Sequence, residues 1–405
     1  MDLEQQYYGI LDTKKITSVI DAIEIVAENC DGRKRNFSDA TQSLESLYQG
    51  KDNDNPYVDS RYKFPFGIWF RGQPLKCLHL KPSLYRETRF STIKHCEDHD
   101  KSKEQRKPEN SYYDETSMFR HFQYRMPNYA SKNYSYFDWL CFMQHYELPT
   151  RLLDWTENIL VALYFVVKNK QLDDCDGMLF AMNSARLNEI SSLFTRKRQI
   201  FDPSSLDVVV RSVLSVVRTR SEFISVLKDN GLYDTVIKEI KYPILKDWLS
   251  SNKKSDLEKI IKSTEFHKAN RLGFPIAVYP NRLIERMAMQ LSVMTIYGGK
   301  VYDIPREKNY IIGLHEQTER LPIFRSMFSI EQMMQNGEIR DFNNAEYKKQ
   351  FLKSFIVPKG CKVKIREELK RIGIHDVSMF PEIEYQAQFI KKQWKIDNNM
   401  SDYLE

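Results

Sequence analysis

The chain has 405 residues, of which 41% are hydrophobic, 29% charged and 13% aromatic, and its formal net charge is +6; that profile fits one large folded domain with additions and excludes long disorder. No run nears the roughly 18 apolar residues of a membrane span, and six cysteines without a CxxC pair speak against a disulfide framework or a zinc cage. The modest positive charge tolerates an anionic ligand without demanding nucleic acid, and the opening Met1-Asp2-Leu3-Glu4, with no basic start or apolar stretch, leads us to expect a cytoplasmic protein.

In chain order, residues 14–48 read as helical, because Ile16, Val19, Ile20, Ile23 and Val26 recur near a 3.6 period and Leu44 and Leu47 continue it. Gly50–Pro56 is a polar joint, and Phe66–Arg71 reads as a strand ending at Gly72. Residues 94–112 are expected to form an exposed, charged loop. Helices are expected from Glu115 and over 136–146. Pro149 then stops propagation and biases Leu148 towards an extended conformation. Thr150–Asp154 reads as a short strand, with Thr156 the expected N-cap of an apolar helix that runs through Val167. Gly177–Met182 is a strand. Residues 186–265 have the texture of a helical insertion, with basic runs at Arg196-Lys197-Arg198, Arg218, Arg220 and Lys253-Lys254 that are expected to be solvated faces. Strands follow at 274–279, 293–297, 354–357 and 361–365, with a turn at Pro358-Lys359-Gly360. The pattern ends with a helix over 367–372, Gly373 as its C′ residue, and a helix over 384–396. Mixed strands and helices without regular alternation predict an α+β fold: a mixed or antiparallel sheet core, flanking helices, the helical insertion and a small C-terminal α/β element. The expected division is a helical segment 1–55, a main domain 56–300 and an extension 301–405 that completes it.

Two blocks are unusually dense in reactive side chains: Trp69-Phe70-Arg71-Gly72-Gln73, and Gln144-His145-Tyr146 through Pro149-Thr150-Arg151-Leu152-Leu153-Asp154-Trp155-Thr156. Buried polar groups cost free energy unless paired, so a core has no need of that mixture. An arginine at a strand end before glycine suits a phosphate or carboxylate clamp; the structural alternative ties Arg71 to a carboxylate such as Asp154. His145 and Tyr146 can stack on a base or move a proton near neutral pH. Arg151 and Asp154 stand three apart in an extended run and so face opposite sides of a sheet. One of them is therefore structural, with Asp154 the expected anchor for a cation. No metal is expected, since His121 and His145 lack partners at ligand spacing. P-loop, nucleophile-elbow and Rossmann motifs are missing from the sequence.

Trp69-Phe70-Arg71-Gly72-Gln73 with Leu80-Lys81-Pro82-Ser83-Leu84-Tyr85-Arg86, Glu115 to Phe122, and the long Gln144–Thr156 block with Asn158, Ala162, Leu163 and Phe165 together resemble the FRG domain family, over roughly residues 60–300. Leu187-Asn188, Tyr279-Pro280 with Arg282 and Gln290, and Phe380-Pro381-Glu382-Ile383-Glu384 resemble its weaker downstream motifs. The chain departs from the family at Glu147, where glycine is common, and at Ser292 and Met294. A more distant resemblance links the aromatic-Arg-Gly pattern to the ADP-ribosyltransferase superfamily. It implies NAD as the cofactor, with Phe70, Arg71, Gly72, Gln73, Arg86 and Trp155 holding it. Catalytic candidates are Arg71, His145, Tyr146, Thr150, Arg151, Asp154, Gln290 and Glu382. Gln290 is the positional match for the ribose-facing residue, and if a carboxylate is required, Glu285, Glu382 and Glu384 are the choices. The context such domains resemble implies a bacterial toxin or antiphage effector. The alternative is a non-catalytic module that binds a nucleotide or protein ligand, with nucleic acid and membrane not expected as partners.

Overall fold

A computed structural model of the chain describes residues 11–27, 68–86, 113–126, 133–197, 199–263, 271–299, 321, 330 and 352–394. The expectations for Leu44 and Leu47, Gly50–Pro56, residues 94–112 and residues 395–396 lie outside them. The strands are β1 (Leu11–Lys15), β2 (Ile68–Gln73), β3 (Leu152–Thr156), β4 (Gly177–Asn183), β5 (Ile276–Val278), β6 (Ser292–Ile296) and β7 (Leu352–Val357). The helices are α1 (Val19–Ala27), α2 (Glu115–Arg125), α3 (Tyr136–His145), α4 (Ile159–Val167), α5 (Ser184–Ser191), α6 (Leu206–Val213), α7 (Arg220–Asp229), α8 (Tyr233–Glu239), α9 (Pro243–Ser250), α10 (Lys254–Lys262), α11 (Glu285–Met289), α12 (Lys362–Arg371), α13 (Asp376–Met379) and α14 (Ile383–Gln393).

The strands form one sheet in the order β1-β7-β4-β2-β3-β6-β5. Among the described strands only the β1–β7 pair is parallel. The fold is α+β. β4 sits near the middle, and its Met178–Met182 run is buried on both faces, which is why it reads as continuously apolar. On one face, α4, α1 and α12 bury Phe70, Leu179, Ala181, Phe355 and Val357. Further along that face, α2, α3 and α6 cover Leu152, Met294 and Ile296. On the other face, Trp69, Leu153, Trp155, Phe180 and Val293 pack against the 80–85 segment and α5.

Local sequence explains most of the helix starts. Asp114 caps α2 through the Ser117 N–H, and Ser135 with Asp138 forms a capping box on α3. The expected cap on α4 moves by two residues. Asn158 accepts from the Leu160 N–H, while Thr156 ends β3. The expected strand 361–365 is instead the start of α12. Ile365 and Leu369 are its buried apolar positions, four apart, while Val363 is 55% exposed, so the apparent period of two there is accidental. The N-terminal segment is not purely helical, because β1 precedes α1 and extends the sheet.

Helices α6–α10 make up the insertion, with a core around Phe223, Leu227, Leu245 and Trp248. Its basic residues are not all solvated. Arg220 is buried and donates to the Trp248, Leu249 and Ser251 carbonyls at the end of α9, and Arg218 reaches Asp114 at the start of α2. These carbonyls are the acceptors a helix terminus leaves unsatisfied, which gives a cation a structural place there. Fully buried Arg211 pairs with Asp207 and donates to Ser191, Arg271 and Phe274 carbonyls, locking the insertion to the sheet.

Candidate functional site

β2 and β4 share six register pairs, but β2 and β3 share one, Phe70 with Thr156. Beyond Phe70 the two strands part. Arg71 stands at this opening and donates a guanidinium N–H to the Asp154 main-chain carbonyl. Its Nε is buried with no hydrogen-bond partner, and no described carboxylate forms a salt bridge with it. Burial lowers the Arg71 pKa to about 10, with Asp154 opposing and Arg86 reinforcing the shift, so the group is cationic at neutral pH. Exposed Arg86 donates to the Lys81 carbonyl.

The neighbours of Arg71 in the motif serve the fold. Phe70 is buried under α4. A Cβ on Gly72 would lie 1.8 Å from the Ala162 main-chain oxygen, so the glycine lets α4 approach the strand. Gln73 is buried and donates to the His79 carbonyl. Trp155 lies in the opposite core layer and donates to Thr295 Oγ1 at 3.2 Å.

The Gln144–Thr156 block divides between the two sides of the opening. Arg151 is fully buried and holds Glu115 with two N–H groups, one at 2.6 Å, and the Tyr297 carbonyl at 2.8 Å. The Arg71 interaction runs through the Asp154 main chain; the Asp154 carboxylate accepts from the Gln144 amide at 2.8 Å. Arg151 is thus the buried structural ion, while the Asp154 carboxylate is exposed and favours the Arg71 charge. The Thr150 hydroxyl donates to the Gln144 side-chain amide oxygen, and the Thr156 hydroxyl donates to the Gln290 main-chain carbonyl.

Helix α3 ends in a Schellman turn. The Glu147 N–H donates to the Gln144 carbonyl, the Leu148 N–H to the Met143 carbonyl, and Glu147 takes φ +64°. That left-handed C′ position explains why glycine suits it in related sequences, and Pro149 follows as such turns favour. The turn presents His145 half-buried and Tyr146 exposed, with their rings packed edge to face at 4.8 Å.

Opposite them stands the C-terminal segment. Glu382 Oε1 accepts from Arg286 Nε at 2.5 Å and lies 4.0 Å from His145 Nδ1, while Glu382 Oε2 is buried without a partner. Burial and the Arg286 charge lower the His145 pKa, with Glu382 opposing. Glu285 and Glu384 are exposed, so Glu382 is the carboxylate that the fold brings to the block. The Gln290 amide donates to the Met379 carbonyl and helps fix this segment. Tyr279 and Arg282 both bond Glu157, next to Thr156, at 2.6 Å, which accounts for that downstream motif. No sequence signal marks Arg286. It precedes Gln290 by one helical turn on α11, and only the structure pairs it with Glu382.

Among the described residues, no three His, Cys, Asp or Glu side chains stand together as a metal site would require, and no helix is long and apolar enough to cross a membrane. No curated protein and no solved structure matches the chain. Residues 67–175 match the FRG domain model, a span that holds β2, β3 and the helices α2, α3 and α4. The opening between β2 and β3, with Arg71 on one strand and the Gln144–Thr156 block on the other, therefore lies within the span that matches the FRG domain model.

Proposed function

We propose that the chain is an enzyme that binds NAD or a similar nucleotide at the β2–β3 opening and acts at its glycosidic carbon, in the manner of an ADP-ribosyltransferase or NAD glycohydrolase. The observation that carries the reading is Arg71, a half-buried cation whose Nε is buried and unpartnered, with no described carboxylate in salt-bridge contact and a second arginine nearby. A buried guanidinium N–H without an acceptor is costly, and an anionic ligand such as a diphosphate relieves that cost. Arg71, with Arg86, would hold the diphosphate. His145 and Tyr146 would frame the base, and Glu382 would face the ribose with its buried, unsatisfied oxygen. Bound there, NAD would supply a glycosidic bond to a good leaving group. The protein's part is to bind the charge, orient the sugar and accept a proton at His145, which burial and Arg286 keep neutral at neutral pH. An enzyme of this kind consumes NAD in the cell that makes it, which is the behaviour of a toxin or defence effector.

Incubation with labelled NAD tests the reading. We expect nicotinamide release or label transfer by the wild type, reduced at least tenfold by Arg71→Lys, which keeps the charge but loses the guanidinium fork, and abolished by Arg71→Ala. Expression should slow growth, and Arg71→Ala should relieve it. A second reading, a binding module without turnover, draws on Gln290 and Gly72, two expected ligand residues that the fold itself uses; binding without turnover would select it. Absence of both in wild type would remove NAD from consideration.

A further inference from the structure

We propose that Arg286 is the positioning residue of this site: its guanidinium takes one oxygen of Glu382, leaves the other as an acceptor for a ligand O–H or N–H, and frees His145 from the carboxylate. The inference rests on the catalytic reading above for its purpose, but its geometry stands alone. Glu382 Oε1 lies 2.5 Å from Arg286 Nε and 4.0 Å from His145 Nδ1, so the arginine has the hydrogen bond and the histidine does not. Oε2 has neither water-facing surface nor a donor. Such an oxygen is rare in a folded protein and is expected where a ligand supplies the missing donor.

The surroundings fix this arrangement. The Arg286 guanidinium carbon sits 5.0 Å from the Phe380 ring centroid and 5.7 Å from that of Tyr385, and these two rings stack at 4.7 Å. The loop carrying Phe380 and Glu382 is pinned from three directions. Gln290 donates to the Met379 carbonyl, Gln386 donates to the Val377 and Phe380 carbonyls, and Tyr164 donates to Asp376. The charged groups that face His145 are Arg286 on α11 and Glu382 on the C-terminal segment, with the exposed Tyr146 ring beside it on its own turn. Glu147, Lys168 and Asp376 form the next layer: Glu147 and Asp376 favour the Lys168 charge, and Arg286 opposes it. A carboxylate beside an imidazole ordinarily raises its pKa, and Arg286 on the same oxygen cancels that effect. The site then offers two acceptors side by side, a neutral imidazole and a carboxylate oxygen. A ligand group that donates hydrogen bonds fits there, whereas an anion would meet Glu382.

Titration of the His145 imidazole by NMR in the full-length protein tests this without any ligand, so its outcome is separate from that of the NAD experiment. In wild type we expect a midpoint below the ordinary histidine value of about 6.5. Arg286→Met should raise it by about one unit, a tenfold gain in proton affinity, and Arg286→Lys should restore most of the wild-type value. In a Glu382→Gln background, Arg286→Met should move it by clearly less. A midpoint that Arg286→Met leaves in place, or an equal shift with and without Glu382, would overturn the proposal. Should turnover be found, Arg286→Met is expected to move the acidic limb of kcat/KM to higher pH, and Glu382→Gln to lower kcat/KM at least tenfold.

Discussion

Arg151 is fully buried, and its charge is answered by Glu115 and the Tyr297 carbonyl. Removing one partner strands the other in the core, so Glu115→Leu or Arg151→Met alone should cost about 3–5 kcal/mol in urea unfolding, while the double replacement should recover much of the loss. Glu147 gives the opposite sign. At φ +64° its Cβ is strained, so Glu147→Gly is expected to add about 1 kcal/mol, read as a higher midpoint with an unchanged slope. At this scale the sequence was informative where the reasoning was local. The three-residue spacing predicts that Arg151 and Asp154 diverge, and they do: one is buried and the other exposed. Their partners were beyond its reach. Glu115 is 36 residues from Arg151, and Arg286 is 96 residues from Glu382. Nothing in one strand's period points that far.

Between elements, the tightest meeting is that of β2 with α4. The Ala162 carbonyl occupies the space where a Gly72 side chain would stand, and both lie on main chain that cannot rotate away. Gly72→Ala should therefore destabilise by about 3 kcal/mol by overpacking, read as a lower midpoint in urea unfolding. Long apolar patterns such as α4 were legible because every face is covered. Short ones were not. Residues 361–365 satisfy a period of two and a period of 3.6 equally, and packing of Ile365 and Leu369 under the sheet decided for the helix. β1, Leu11-Asp12-Thr13-Lys14-Lys15, has no apolar alternation at all; its partner strand defines it.

Across the whole molecule, the matched span 67–175 stops short of Gly177, where β4 begins, and lacks β6 and β7 as well. That fragment holds two strands that pair at one position. Expressed alone it should show no cooperative unfolding transition, whereas the full chain should. Asp176 links distant parts of the sheet. Burial alone would raise its pKa, but the Lys359 N–H and the Lys76 ammonium hold it below the ordinary aspartate value of 3.8. Its contribution is present in full above that value and fades as pH falls through the depressed folded pKa. Asp176→Asn should accordingly be less stable than wild type at neutral pH, with the gap closing in acid, as unfolding at a series of pH values will show.

Leu11 pairs with Ser354, and β7 separates β1 from the rest of the sheet. On a ribosome adding about 5–20 residues per second, β1 emerges tens of seconds before the strand it needs. During that interval β4 has one edge without its neighbour. Completion of the sheet thus waits for β7, and a product cut short before residue 352 would present an unfinished sheet to chaperones and proteases.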